Sequence, residues 1–281
     1  MRYDDIVIGA GHNGLTAAAY LARAGRRVLV LDKGQDVGGA TVSARVFPGV
    51  DARLSRYSYL VSLLPQRIRS DLELDLRLIR RRWSSYTPLP GAPGRGLLVD
   101  ATDERASRAR FREVTGSDEP YAAWRRFYER VGRLAQRVFP TMLEPLLAAD
   151  SMRARVDDDE LFDTLTTRPL ADLLEPLTED DTIRGIIATD ALIGTFASLS
   201  GPDLRANVCL LYHLVGGGTG DWDVPVGGMG ALTVALARAA ADAGATIRTD
   251  TEVTAVDPAS GEVTWRGGRA AAGSLVAGCA P

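Results

Sequence analysis

The residues best placed to do chemistry lie near the start of the chain: Gly9-Ala10-Gly11-His12-Asn13-Gly14, a G-x-G-x-x-G, with Asp32 a short way beyond. This set supplies no nucleophile; its chemistry is that of holding a dinucleotide. Gly9 permits a tight turn, Gly11 lets a pyrophosphate approach the backbone, and Gly14 lets a helix lie close against a strand. Ala10, His12 and Asn13 complete the turn, where the first N–H groups of a helix and its partial positive charge face the phosphates. Asp32 is placed to accept hydrogen bonds from a ribose diol, and an acid there argues against a 2′-phosphate and so against NADP.

A glycine motif carries this meaning only between the right elements. Ile6-Val7-Ile8 reads as a buried parallel strand, Leu15 to Ala24 as a helix of small and apolar residues, and Gly25 as its C-terminal stop. Val28-Leu29-Val30-Leu31 is a second buried strand closed by Asp32, so the motif sits inside a βαβ unit. Lys33 leads to Gly38-Gly39-Ala40, a second glycine cluster that predicts another close backbone approach to the same ligand. A plain nicotinamide site does not need it.

The stretch from Ile6 to Ala40 resembles the FAD-binding motif of the glutathione-reductase-like flavoprotein superfamily, in which a Gly-Gly pair after the acid borders the cofactor. Many relatives carry Arg after the doublet; here it is Ala40. From Pro225 to Pro281 the chain resembles the phytoene-desaturase-like branch, which contains carotenoid desaturases and isomerases. The wording of Asp190 to Thr195, Tyr212-His213 and Trp222 to Gly230 is similar to one subgroup, pyridine nucleotide-disulfide oxidoreductase domain-containing protein 2. The resemblance implies FAD as cofactor, with Gly9 to Gly14, Asp32, Lys33, Gly38, Gly39 and Ala40 around it. It also implies that the backbone of Val253 contacts the adenine end. Such flavoproteins usually continue into a late glycine-rich element that closes over the flavin. Its absence makes the chain an expected fragment, with an open flavin side that a partner chain or an oligomer would cover.

The remaining residues narrow the function. The net charge of −3 gives no reason to expect nucleic acid. Cys209 and Cys279 form no C-x-x-C, so the disulfide in the subgroup's label has no counterpart; with only His12 and His213 no metal site is visible. No signal peptide precedes the first strand, which suggests a cytoplasmic protein. Leu60 to Leu64 is apolar but too short to span a bilayer, which leaves peripheral membrane contact open. The acidic runs 157–160 and 178–181 read as helix caps, and His213 as a packing residue.

The expected fold is α/β: a Rossmann-like FAD-binding domain from 1–70 and 223–281, with an α+β substrate region, 71–222, inserted between its halves. In the first part, Thr41 to Asp51 reads as a strand and a turn. In the insertion, alternating Leu72, Leu74, Leu76 and Leu78 and a turn at Pro88 to Gly94 predict short strands. Glu119 to Val138 predicts a helix whose Trp124, Tyr128, Val131, Leu134 and Val138 form a core face. Ala231 to Ala243 reads as a helix and Ser274 to Gly278 as a last buried strand. The expected function is an FAD-dependent oxidoreductase moving a hydride from a small or lipophilic organic substrate to flavin, with no catalytic residue identifiable. The alternatives are a carotenoid desaturase or isomerase, and a non-catalytic FAD-binding interaction protein.

Overall fold

The computed structural model describes residues 2–58, 61–218 and 222–279. Leu60 and Pro281, used above, lie outside them. The chain divides into two compact units, Met1–Val61 with Gln66–Ile79 and Asp223–Pro281, and Ser62–Pro65 with Arg80–Trp222. The first unit gives up 62–65 and runs on to Ile79, where the sequence predicts its end at 70.

In the first unit, β1 (Arg2–Ile8) and β2 (Val28–Leu31) run parallel, with Asp5 opposite Val28 and Ile8 opposite Leu31. Between them α1 (His12–Arg23) buries Gly14, Leu15, Ala18, Ala19 and Ala22, one face at helical spacing. Gly25 closes it in a left-handed conformation (φ 77°), its N–H donating to Ala22 O at 2.9 Å. The strand expected over 41–51 is reduced to β3 (Ser43–Ala44), which pairs with β4 (Leu54–Ser55). The side chains between them have no face to bury against, and residues 45–54 are all exposed.

The leucine alternation over 72–78 is not a strand. The helix α2 (Gln66–Asp71) precedes it, and β5 begins only at Leu78 (Leu78–Arg80). Between them the N–H groups of Leu72, Leu74 and Leu76 donate to Ile68, Arg69 and Leu74, with Glu73 left-handed at φ 51°. Local turns thus bury Leu72 and Leu76 without a ladder.

The second unit opens with a hairpin of β6 (Trp83–Pro88) and β7 (Gly96–Asp100) around the expected turn. Among the described residues seven α-helices follow: α3 (Glu104–Thr115), α4 (Glu119–Val138), α5 (Ala149–Val156), α6 (Asp159–Thr167), α7 (Ala171–Leu174), α8 (Asp181–Leu192) and α9 (Arg205–Leu214). The acidic runs do cap: Asp158 accepts from Leu161 N, and Asp180 from Thr182 N and Ile183 N. On α4, Val131 and Leu134 are buried, with Trp124, Tyr128 and Val138 packed against their core. Buried Asn207 closes α6, its amide reaching Thr164, Leu165 and Arg168 carbonyls at 2.9–3.3 Å.

The chain returns to the first unit through β8 (Asp223–Pro225), which pairs with β5, and α10 (Met229–Asp242). Then come β9 (Thr246–Arg248), β10 (Val253–Asp257), β11 (Glu262–Trp265) and β12 (Gly268–Ala277). The sheet order is β10-β11-β12-β1-β2-β9. β12 is longer than expected because it serves two partners: Gly268 to Ala271 lies antiparallel to β11, and Ser274 to Ala277 parallel to Asp5 to Ile8. Buried Asp5 fixes that register, accepting from Arg26 and, at 2.5 Å, from the Ser274 hydroxyl. Val61, of the short apolar run, is buried and bridges to Asp223, so that residue is not free to meet lipid.

Candidate dinucleotide cradle

Backbone geometry explains two glycines of the motif directly. Gly9 turns out of β1 at φ 101°, its N–H donating to Leu31 O at 2.7 Å. A Cβ on Gly14 would lie 2.0 Å from Gly9 O, and one on Gly278 would lie 3.1 Å from the Gly14 Cα. Strand, helix and the end of β12 therefore meet where side chains are excluded. Gly11 is different. Its backbone is extended (φ −72°, ψ 173°), and a Cβ there would meet nothing within 4 Å. No intramolecular contact demands a glycine; open space in front of the turn does.

That space faces the start of α1, which has no side-chain cap and no acid in its first turn. Its leading N–H groups and the helix dipole are thus free for an anion. Asn13 is exposed there, and burial holds the His12 imidazole below its ordinary pKa. Neutral His12 leaves the attraction for phosphate to the backbone.

Asp32 closes the second side. Its carboxylate accepts from Ala10 N at 2.6 Å and Gly34 N at 2.7 Å, fixing both loops. A carboxylate has about four acceptor sites, so a ribose hydroxyl still finds capacity there. The Asp32 carbonyl accepts from Thr251 N at 2.8 Å, and Gly34 O from Asp250 N at 2.9 Å. Val253 starts β10 two residues later, half-buried against the sheet core. The second glycine cluster closes from the other direction: Gly38 N donates to Ala10 O at 2.9 Å, and a Cβ on Gly39 would lie 3.3 Å from Gly11 Cα. Gly9 to Gly14, Asp32, Gly38 and Gly39 thus form one cradle; Lys33 and Ala40 are exposed at its border.

Several cradle residues were not singled out from sequence. The Thr41 hydroxyl donates to Gly38 O at 2.7 Å and lies 2.6 Å from the Thr233 hydroxyl of α10, both buried. Ser43 and Ser55 cap α10, accepting from Gly230 N at 2.8 Å and Met229 N at 3.1 Å. The available signal was Thr41-x-Ser43 directly after the doublet, with Gly227-Gly228 before the helix.

The second unit holds a separate polar group. The Tyr128 hydroxyl donates to Asp190 at 2.8 Å, and burial lifts the Asp190 carboxyl above its ordinary range. Burial, then the charge of Asp190, push the Cys209 thiol up. His213 Nδ1 lies 2.8 Å from Cys209 O. Both cysteines are free, and among the described residues no three of His, Cys, Asp or Glu converge to hold a metal ion. No helix of the described residues is long and apolar enough to cross a membrane.

Residues 7–67 match the family of the NAD(P)-binding Rossmann-like domain. Over 263 residues, 91% of its length, the chain is 46% identical to an uncharacterised protein of Mycobacterium tuberculosis, of which it covers 49%. It is 33% identical over 317 residues to pyridine nucleotide-disulfide oxidoreductase domain-containing protein 2 of Rattus norvegicus, covering 99% of this chain and 53% of that protein. A solved structure of putrescine oxidase with bound putrescine is similar at a TM-score of 0.62 and 20% identity, over 98% of this chain and 57% of the other. At that identity the likeness is one of fold. The chain spans about half the length of the curated relatives it matches.

Proposed function

We propose that this chain, a homologue of pyridine nucleotide-disulfide oxidoreductase domain-containing protein 2, holds FAD in an oxidoreductase that oxidises a small or lipophilic organic substrate. One observation carries the choice of FAD over NAD: the second glycine pair, Gly38-Gly39, is built against Gly11 by the Thr41 and Thr233 hydroxyls. A nicotinamide site needs only the first turn.

The residues present fit the cofactor. Gly11 leaves room for the pyrophosphate, and the uncapped start of α1 supplies N–H donors and positive potential. Asp32 accepts from the adenosine ribose, and the Val253 backbone meets the adenine. Gly38 and Gly39 let the middle of the cofactor lie close to the chain. Bound flavin supplies hydride acceptance; the protein supplies position and a fixed electrostatic setting. The second unit is the region to which we assign the substrate. Dithiol chemistry is not part of this reading, because Cys209 and Cys279 are both free and form no C-x-x-C.

The test is to denature the purified protein and chromatograph the supernatant. FAD is the expected cofactor; stoichiometric NAD without flavin refutes the proposal. Turnover is then read by dye reduction over a panel of small and lipophilic organic compounds.

A further inference from the structure

The connection between β3 and β4 stands out from the rest of the first unit. Residues 45–54 are exposed without a break, and they include Val46, Phe47 and Val50 at 44%, 58% and 52% exposure. Leu54 and Tyr57, also exposed, follow at the stem. Pro48-Gly49 makes the tip: Gly49 is left-handed at φ 78°, and Val50 N donates to Phe47 O at 3.3 Å. This turn leaves Phe47 and Val50 about half exposed among the described residues. Its base is firm, since Ser43 and Ser55, one on each stem, are tied to the start of α10.

Charge is layered beneath the apolar tip. Arg45, Arg53 and Arg56 against Asp51 give 45–57 a net charge of +2 (three minus one), in a chain whose net charge is −3. Asp51 pairs with Arg45 at 2.7 Å, and the Arg56 guanidinium lies over the Tyr57 ring at 5.3 Å. An apolar tip above a cationic and aromatic collar matches the layering of a bilayer interface, hydrocarbon outermost and phosphate behind it. The tip is also small. Ten residues fall well short of the roughly 20–30 residues a side that a stable protein interface uses.

We propose that this turn docks the protein on an anionic phospholipid surface, with Phe47 and Val50 entering the interface and Arg53 and Arg56 meeting lipid phosphates. Guanidinium groups suit phosphate oxygens through paired N–H donors. The element lies on the surface and does not span.

Co-sedimentation with vesicles tests it. The full chain is mixed with phosphatidylglycerol–phosphatidylcholine vesicles and, separately, with phosphatidylcholine alone. Binding is expected only to the anionic vesicles, and to weaken as salt is raised. Replacing both arginines, Arg53→Gln with Arg56→Gln, should lower partitioning about thirtyfold, from roughly 1 kcal/mol per charge near the surface. Phe47→Ser with Val50→Ser should lower it at least about tenfold, the transfer value of one buried large side chain. Phe47→Trp keeps the tip apolar, and its emission should shift to the blue on anionic vesicles. No binding by the wild type, equal binding to neutral vesicles, or unchanged binding by the folded variants overturns the proposal. So does a lipid-free change in sedimentation coefficient in Phe47→Ser/Val50→Ser, which would assign the turn to self-association.

Discussion

Gly11 is the sharpest test of the cradle, because its two roles separate in one substitution. Its φ and ψ, −72° and 173°, are open to any L residue, and a Cβ there meets nothing within 4 Å. In the cofactor-free protein Gly11→Ala should therefore be neutral or stabilising by about 0.4–1 kcal/mol, through the smaller freedom of the unfolded chain. The same methyl group occupies the space through which a pyrophosphate reaches the turn. Each phosphate hydrogen bond to a backbone N–H contributes about 1.5–3 kcal/mol. Losing two, as with the bulkier Gly11→Val, should weaken FAD binding by about 3–6 kcal/mol, roughly a hundredfold to twenty-thousandfold. The control is Gly14→Ala, whose Cβ would sit 2.0 Å from a backbone carbonyl oxygen that no rotamer change can move. That variant should lose about 3 kcal/mol or more of stability whether or not cofactor is present. Thermal unfolding of the cofactor-free proteins and FAD titration by flavin fluorescence read the two effects apart. If Gly11→Val binds FAD like the wild type, the pyrophosphate does not pass this turn. If Gly11→Ala destabilises as much as Gly14→Ala, the residue is there for packing.

Asp32→Ala should weaken FAD binding and also cost the cofactor-free fold about 1–3 kcal/mol, since buried Ala10 N–H loses its acceptor; an unfolding curve matching the wild type would refute that second role. Thr233→Val, nearly the same shape, removes the hydroxyl facing Thr41 and should lower both stability, by about 1–3 kcal/mol, and FAD affinity. Unchanged affinity at lowered stability would show that the Gly38-Gly39 loop holds its place unaided. Asp190 holds its proton more tightly in the folded chain than at the ordinary value of 3.8, so its contribution is full below that pH and is lost as pH rises through the raised value. Asp190→Asn keeps an acceptor for Tyr128 without this loss, so its stability advantage should grow from about pH 4 upward; denaturant unfolding of both proteins across pH 3.5–8, about half a unit per step, checks the sign.

How much of this was legible in the sequence depended on the range over which each residue acts. The βαβ unit was readable because its signals are local. A run of Ile6, Val7 and Ile8, small residues at helical spacing and a closing Gly25 each act within a few positions. The helix over Glu119–Val138 and the acidic caps were readable for the same reason. The leucine alternation over 72–78 misled because period two is also satisfied by a chain that turns back every few residues. Burying Leu72 and Leu76 needed only local hydrogen bonds after α2, and no partner strand stood beside them. Alternation at 41–51 failed for the opposite reason, since no core lies under that stretch.

What sequence did not disclose is how the cradle is held. A glycine that excludes a side chain leaves a mark at its own position, whereas a buried hydroxyl is informative only with its partner. Thr41 and Thr233 stand 192 positions apart, and Ser43 is 187 from the helix start it caps. Gly278 packs on Gly14 from the far end of the chain, and Arg248 and Thr251 hold the backbone of Asp32. The family match ends at residue 67, yet the parts that fix Gly14, Asp32 and Gly38 come from β9, the β9–β10 connection, α10 and the end of β12. On the proposed reading the motif supplies the surfaces for a dinucleotide, and the returning segment fixes their separation. Charge-assisted bonds to phosphate depend steeply on distance and angle. The geometry of the cradle is therefore set in part by residues outside the glycine motif.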